Sequence, residues 1–591
     1  MRAALISKIA ITVVLATATS VSITTTAGAT PVAEGSSAAA LRSGADTATA
    51  DAARTAAFAH AAETGLTAQS GLVVTEVMAD QSGKQHVRFA QTYRNLPVVG
   101  ADLVVHLTAA SEYLGVTRAS DTEVSVPTVS AKVTAEQARA KAASVVPKGA
   151  SETPHLIVHT QNGKTVLAYQ VQVASNDDVT ASHVVVVDAS TGDVVSDTPA
   201  LDGIISPKLE SKLKGLSAQA SASGSGQKAS QGAKPGSKYP LPAVGTGASM
   251  YSGTVTLNTS QTSASAYTLV DTTRGKAEVR NARNTILSDS RVVSGSAAMT
   301  DADNAWGNGT TSDVNTAGVD AQYGLTSTFD FYKNTLGRNG IRNDGVGPVG
   351  VVHFAQNYGN AGWSNGCWCM VYGDGDGYTF TKPLTQLDVT GHELTHGVVS
   401  ATAALQTDYS PSGDEQIGEP GSLNESLADI FGTAVEFSTN NATHAPNYLM
   451  GEQLGLSQGF LRRMDRPSLD VLEGAVDYWS PNAPQTEVHG GSGVSSHAFF
   501  LLAEGSGART INGVAYNSPT YDGSTLTGIG RDKAVAIFYQ ALTRYMVSST
   551  DFHDARTATL QAAADLYGQG STEYTTVDKA WAAVNVTASN G

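Results

Sequence analysis

Apolar residues along this chain keep two different periods. Between about 244 and 384 they alternate with polar residues in short, glycine-punctuated runs, as half-buried strands do, whereas beyond 388 they recur every three or four positions, as on helices with one buried face. The same alternation marks 83–93, 96–106, 166–174 and 184–195, the last broken by a turn at 188–192. Three helices are predicted before 384. One is an alanine-rich stretch at 47–64, one opens with the capping box Thr134-Ala135-Glu136-Gln137, and one at 317–335 puts Ala321, Leu325, Phe329 and Tyr332 on one face. Later helices are predicted at 387–399, around Leu423, Leu427, Ile430, Phe431, Ala434 and Val435, and at 493–503, 531–546, 551–567 and 576–585. Strands first and helices later predict an α+β chain whose main body has two lobes, one α+β and one helical, with a cleft between them.

With 591 residues the chain is too long for one core. We divide it into 1–29, 30–127, 128–200, a flexible linker at 201–243, and lobes at 244–387 and 388–591. Arg2 and Lys8, the apolar run after them and the small residues ending in Ala27-Gly28-Ala29 have the layout of a secretory signal cut after Ala29. No other stretch is apolar enough to span a bilayer, so a secreted, extracellular protein is expected, free of the membrane after signal removal. Residues 216–243 are rich in Ser, Ala, Gly, Lys and Pro, with too few apolar side chains for a core, and maturation is expected between 202 and 244. A formal charge of −16 without a basic cluster argues against nucleic acid as a partner. Both cysteines lie in Cys367-Trp368-Cys369, as a tight ring or a free thiol pair; an oxidising destination favours the ring.

The chemistry concentrates in Gly391-His392-Glu393-Leu394-Thr395-His396. On a helix, His392 and His396 lie one turn apart on one face, so two imidazoles can close on one zinc ion while Glu393 stands beside it as a base. Two imidazoles leave such a site incomplete. On the next helix Glu425 and Asp429 share a face, which predicts Glu425 as third ligand and Asp429 as the acceptor for a ring N–H, that of His392. The bland alternative is a core helix whose histidines fill ordinary hydrogen bonds, beside two exposed acids.

These residues resemble the thermolysin-like secreted neutral metalloproteases. The resemblance runs from about 244 to the C-terminus through Asp271-Thr272-Thr273-Arg274-Gly275, Asp301-Ala302-Asp303-Asn304, Val319-Asp320-Ala321, Met370-Val371-Tyr372-Gly373-Asp374 and Gly528-Ile529-Gly530-Arg531-Asp532. It implies a thermolysin-like fold, one catalytic zinc, and an endopeptidase made as a zymogen. Its propeptide would comprise a thermolysin-type module at 30–127 and a PepSY-like module at 128–200, acting as inhibitor and chaperone. It also implies that His489 donates to the oxyanion. Here Gly491 stands where the family has asparagine and the orienting aspartate is missing, which leaves Glu487 as substitute; Tyr409 is the candidate oxyanion tyrosine. Asn360, Ala361 and Arg462 match residues that hold substrate backbone. Phe380, Leu384, Val389 and Leu461 match the walls of the pocket for the residue after the scissile bond, implying cleavage of peptides and proteins before bulky apolar side chains.

The resemblance further implies structural calcium. Asp388, Glu436 and Glu452 match ligands of a double site, but two other acidic positions fall on Asn447 and Leu449, so one calcium is expected at Asp388, Glu436, Asn447 and Glu452. Asp301 and Asp303 suggest a weaker calcium site, and a monomer is expected. Two other functions compete: a non-catalytic zinc-binding protein, which has no need of Glu393, and an exopeptidase with a blocked cleft.

Overall fold

The computed structural model describes residues 44–590 apart from 147–148, 176–181, 218–238 and 411–414. The signal reading at 1–29 and the centre of the expected linker lie outside the described residues.

Near the N-terminus, helix Gly44–Ala59 lays Ala50, Ala53 and Ala57 on a sheet face made by Val74, Val87, Phe89, Leu103 and Val105. Strand Gln85–Tyr93 lies between Ser70–Ala79 and Leu103–Leu107, antiparallel to both. Its alternation sends Val87 and Phe89 to that helix, and His86 and Arg88 to the opposite face. That opposite face is not solvent. His86 and Arg88 are buried, and Arg88 Nη2 donates to the carbonyls of Thr543 (3.0 Å) and Met546 (2.8 Å) at the end of helix Arg531–Arg544. The Thr543 carbonyl lies in the last turn, where the helix supplies no donor, and Met546 lies just beyond it, so a guanidinium from the N-terminal segment serves both. Close by, Glu76 accepts from Arg338 (3.1 Å) and Asn343 (3.0 Å). The sheet is thereby fastened to the main body.

The second unit has the predicted capping box: Gln137 N–H donates to Thr134 Oγ1 at 3.2 Å and Thr134 N–H to Gln137 Oε1 at 2.9 Å. Leu96–Val99 pairs antiparallel with Gln85–Tyr93 and parallel with His155–Gln161, so the two units share one ten-stranded sheet.

The linker expected at 201–243 is corrected at its start. Leu201–Gly203 is a strand and Pro207–Ser217 a helix, and Ile204, Ile205, Leu209 and Leu213 enter the main core. The Ile pair and the four-residue spacing of Leu209 and Leu213 supply an apolar face that the small-residue run after it obscures.

In the main body, Leu201–Gly203 is the edge of a mixed sheet that continues through Ala361–Ser364, Cys369–Tyr372, Val349–Phe354 and Ala277–Thr285. Helix Val314–Leu336 buries the predicted Ala321, Leu325, Phe329 and Tyr332. Cys367 and Cys369 are joined as a disulfide. The helical half contains Leu387–Ala401, Glu419–Thr439, Gly493–Glu504, Arg531–Arg544, Phe552–Tyr567 and Thr572–Ala583. Leu387–Ala401 and Glu419–Thr439 meet at two glycines. A Cβ on Gly391 would lie 2.9 Å from Gly432 Cα, and one on Gly432 would lie 2.7 Å from the Asp388 carbonyl, so only glycine permits this approach. The near-contact of these backbones brings short side chains on the two helices within reach of one ion.

Candidate metal centre and cleft

His392 and His396 lie one turn apart on helix Leu387–Ala401, both fully buried. His392 Nδ1 donates to Asp429 Oδ1 at 2.8 Å and His396 Nδ1 to Asn424 Oδ1 at 3.1 Å. Each ring proton is thus committed to an oxygen, which leaves each Nε2 as a bare lone pair. Those two Nε2 atoms are 3.0 Å apart, and Glu425 oxygens lie 3.4 Å from one and 3.6 Å from the other. Two lone pairs and a carboxylate facing one another without a proton repel unless a cation lies among them, and the nitrogen–oxygen donor set suits zinc. The residues present therefore fit the metal. Asn424 went unnoticed in the sequence; its only signal was adjacency to Glu425.

Arg462 grips Asp429 with two bonds of 2.8 Å. Burial alone would raise the Asp429 carboxyl, but Arg462 and His392 outweigh it and hold it down at about 2. The charged acceptor fixes the His392 tautomer. Burial likewise works against the Glu425 carboxylate, and His489, His396 and His392 overcome it, so its pKa falls well below the usual range.

Glu393 Oε2 accepts from the Trp363 N–H at 3.0 Å, whereas its buried Oε1 has no protein partner. Burial first, then the carboxylates of Glu425 and Asp202, raises its pKa well above the ordinary value. That places a proton-hungry oxygen beside the metal ligands. Across the cleft, His489 Nδ1 lies 2.8 Å from Glu487 Oε1 and Nε2 lies 2.9 Å from the Gly203 carbonyl. Both partners accept, so both nitrogens carry hydrogen and the ring is an imidazolium. Burial opposes that charge, but Glu425 and Glu487 outweigh it and raise the pKa. Glu487 does occupy the orienting position, and it also accepts from the His489 backbone N–H at 2.9 Å. Tyr409 stands within the field of Asp202, Asp197 and Glu487, and burial together with these acids raises its phenol well above the ordinary value.

Asn360, Ala361 and Arg462, chosen separately in the sequence, all engage the backbone of 204–205. Phe380, Leu384, Val389 and Leu461 are fully buried in the apolar cluster that also takes in Ile204.

The expected calcium ligands are arranged differently. His444 reaches into the acidic group, its Nε2 3.1 Å from Glu436 Oε1 and hydrogen-bonded to Glu452. Asn447 turns its amide N–H₂ to Glu452 Oε1 (2.8 Å) and accepts the Leu449 N–H on its Oδ1 (2.8 Å). Asp388 accepts from the N–H groups of Gly451 (2.7 Å) and Val389 (2.8 Å). An imidazole thus joins the carboxylates expected to hold calcium, and ligand atoms of Glu436, His444 and Glu452 lie within 4.8 Å of one another. Glu436 and Glu452 hold the His444 pKa up at about 10, so it is a cation. Asp301 and Asp303 each accept from backbone N–H groups of their own turn, and among the described residues neither joins a group of three metal-ligating side chains.

Comparison with known proteins agrees with this geometry. Residues 244–400 match the thermolysin metallopeptidase catalytic domain, 415–586 its alpha-helical domain, and 70–120 the fungalysin/thermolysin propeptide motif. The transglutaminase-activating metalloprotease of Streptomyces mobaraensis is 40% identical over 88% of this chain, which spans 62% of that protein's length. Thermolysin of Alicyclobacillus acidocaldarius is 33% identical over 86% of this chain and 84% of its own length. Bacillolysin of Bacillus cereus is 33% identical over 88% of this chain and 86% of its own. Together these matches span the N-terminal sheet, the main-body sheet and the site helices, and the chain therefore belongs to the thermolysin metallopeptidase family, as a zinc metalloendopeptidase preceded by a propeptide.

Proposed function

We propose that this chain is exported, that its N-terminal segment keeps it latent, and that the released enzyme cuts protein chains ahead of bulky apolar residues. In this reading His392, His396 and Glu425 hold the zinc. When bound, zinc supplies a Lewis acid that makes water ionisable near neutral pH and polarises the carbonyl to be attacked. Glu393 Oε1 takes the proton from the attacking water and delivers it to the departing amine. His489 Nε2–H donates to the carbonyl oxygen as negative charge grows on it, and Glu487 keeps the ring charged and aimed. Arg462, Asn360 and Ala361 hold the backbone on the far side of the bond, and Phe380, Leu384, Val389 and Leu461 wall the pocket for the residue that follows it. No helix among the described residues is long and apolar enough to cross a membrane. At the second acidic group, His444 supplies the counter-charge in place of calcium.

The observation that carries this reading is the pairing of two bare imidazole lone pairs and a carboxylate with a base, Glu393, whose second oxygen is unpartnered. A non-catalytic zinc protein has no use for that base. Hydrolysis of casein by the processed protein tests it: activity should vanish with a zinc chelator and return with added zinc, and activity indifferent to both would contradict it.

A further inference from the structure

We propose that Gly203–Ile204 is the first bond this enzyme cuts in its own chain, because the cleft holds that bond as it would hold a substrate. The proposal rests on the peptidase reading above and adds to it the bond.

Strand Leu201–Gly203 runs antiparallel to the cleft strand, with Leu201 opposite Ser364, Asp202 opposite Trp363 and Gly203 opposite Gly362. The pairing continues one residue further, where the Ile204 N–H donates to the Ala361 carbonyl at 3.1 Å. Two cationic side chains then select one peptide bond. His489 Nε2 donates to the Gly203 carbonyl at 2.9 Å, and Arg462 Nη1 donates to the Ile204 carbonyl at 2.7 Å. Beyond the bond, Asn360 brackets Ile205, accepting its N–H at 3.4 Å and donating to its carbonyl at 3.3 Å, and Glu473 takes the Ser206 N–H at 2.9 Å and its hydroxyl at 2.7 Å. The carbonyl beside His489 is the one whose oxygen that histidine can stabilise, so attack falls on Gly203.

The side chains at this bond agree with that register. Ile204 is fully buried, as a bulky apolar residue after the scissile bond should be. A Cβ at Gly203 would come within 2.9 Å of Asn360 Nδ2, so glycine lets that amide lie closest to the backbone, and a larger residue there would require it to shift. The step is a hydrolysis. Water oxygen bonds to the Gly203 carbonyl carbon, the bond to the Ile204 nitrogen breaks, Glu393 passes one water proton to that nitrogen and the second follows, and the chain ends as a Gly203 carboxylate and an Ile204 ammonium.

Full-length chain purified without zinc and then supplied with it should yield a fragment whose N-terminal sequence begins at Ile204. Its rate constant should not depend on chain concentration, since the bond already lies in its own cleft. Ile204→Asp, which puts a charge in the apolar pocket, should slow this cut at least ~100-fold, whereas Ile204→Leu should leave it within a few-fold. In intact Glu393→Gln chain the Ile204 amide should exchange its hydrogen slowly. Chain that hydrolyses casein yet never yields an Ile204 terminus, or an Ile204 amide that exchanges as fast as a free peptide, overturns the proposal and leaves the peptidase reading standing. Hydrolysis of neither casein nor this bond overturns both.

Discussion

Lowering the pH from 7.5 to 5 should loosen the N-terminal segment from the enzyme it covers. His86 and His106 lie on neighbouring strands of the prosegment sheet and meet Nδ1 to Nδ1 at 2.9 Å, a contact that needs one N–H and one lone pair and so cannot survive double protonation. The pair is pressed against the Tyr545 ring of the enzyme, with Arg544, Asp565 and Lys84 around it and Thr117 on the second nitrogen of His106. Burial, reinforced by Arg544 for His86 and by His86 for His106, pushes both rings down to about 3 from an ordinary 6.5. The docked state therefore binds fewer protons than the undocked one, so docking is at full strength above about 6.5 and declines from there toward 3. A pH of 5 lies about 1.5 units below the ordinary value of an exposed ring. At roughly 1.36 kcal/mol per unit this costs about 2 kcal/mol, or roughly 30-fold in Kd, with the coupled pair counted once. His159, lowered by burial, acts in the same sense, whereas Asp565, lowered mainly by Lys84 against its burial, contributes only below its ordinary 3.8 and so not over this range. Isothermal titration of residues 30–203 into Glu393→Gln enzyme at pH 7.5, 6 and 5 measures the effect. The slope should flatten in the His86→Gln/His106→Gln variant. A Kd that stays level over that range, or an unchanged slope in the double variant, would refute the reasoning.

Other consequences can be tested alongside. Arg88→Ala leaves the carbonyls of Thr543 and Met546 buried and unpaired, and should weaken prosegment docking by ~3 kcal/mol in the same titration. His489→Ala removes the donor to the reacting carbonyl, so kcat on a peptide substrate should fall ~100- to 1,000-fold with little change in KM. His444→Ala removes the cation between Glu436 and Glu452; thermal melting in zinc-containing, calcium-free buffer should show a loss of ~2 kcal/mol that calcium restores, while the parent responds little to calcium.

Much of the metal centre was legible because helical geometry fixes it: spacing alone sets His392 against His396 and Glu425 against Asp429. The cleft was less so. Gly391 and Gly432 give no periodic signal, yet their contact decides that the two helices come close enough to share an ion. His86 and Arg88 occupy positions that alternation assigns to solvent, since the pattern of one strand cannot register a second body packed on its polar face. Ile204 and Ile205 were lost among small residues because a pair of apolar side chains is too short for any period; their meaning comes from the strand they pair with. His444 lies in a loop between Glu436 and Glu452, where spacing says nothing about direction, so its place among those carboxylates gave no signal. The prosegment has two apolar cores but one sheet, which Leu96–Val99 joins by pairing on both sides.

The most direct test of the central claim is Glu393→Gln. The residue is beside the metal ligands but is not one of them, so the variant should fold and carry one zinc per chain by metal analysis, as the parent does. Casein hydrolysis per zinc should fall ~1,000-fold or more, since the loss is that of the base alone. A zinc-loaded variant that hydrolyses casein at the parent rate would contradict the account.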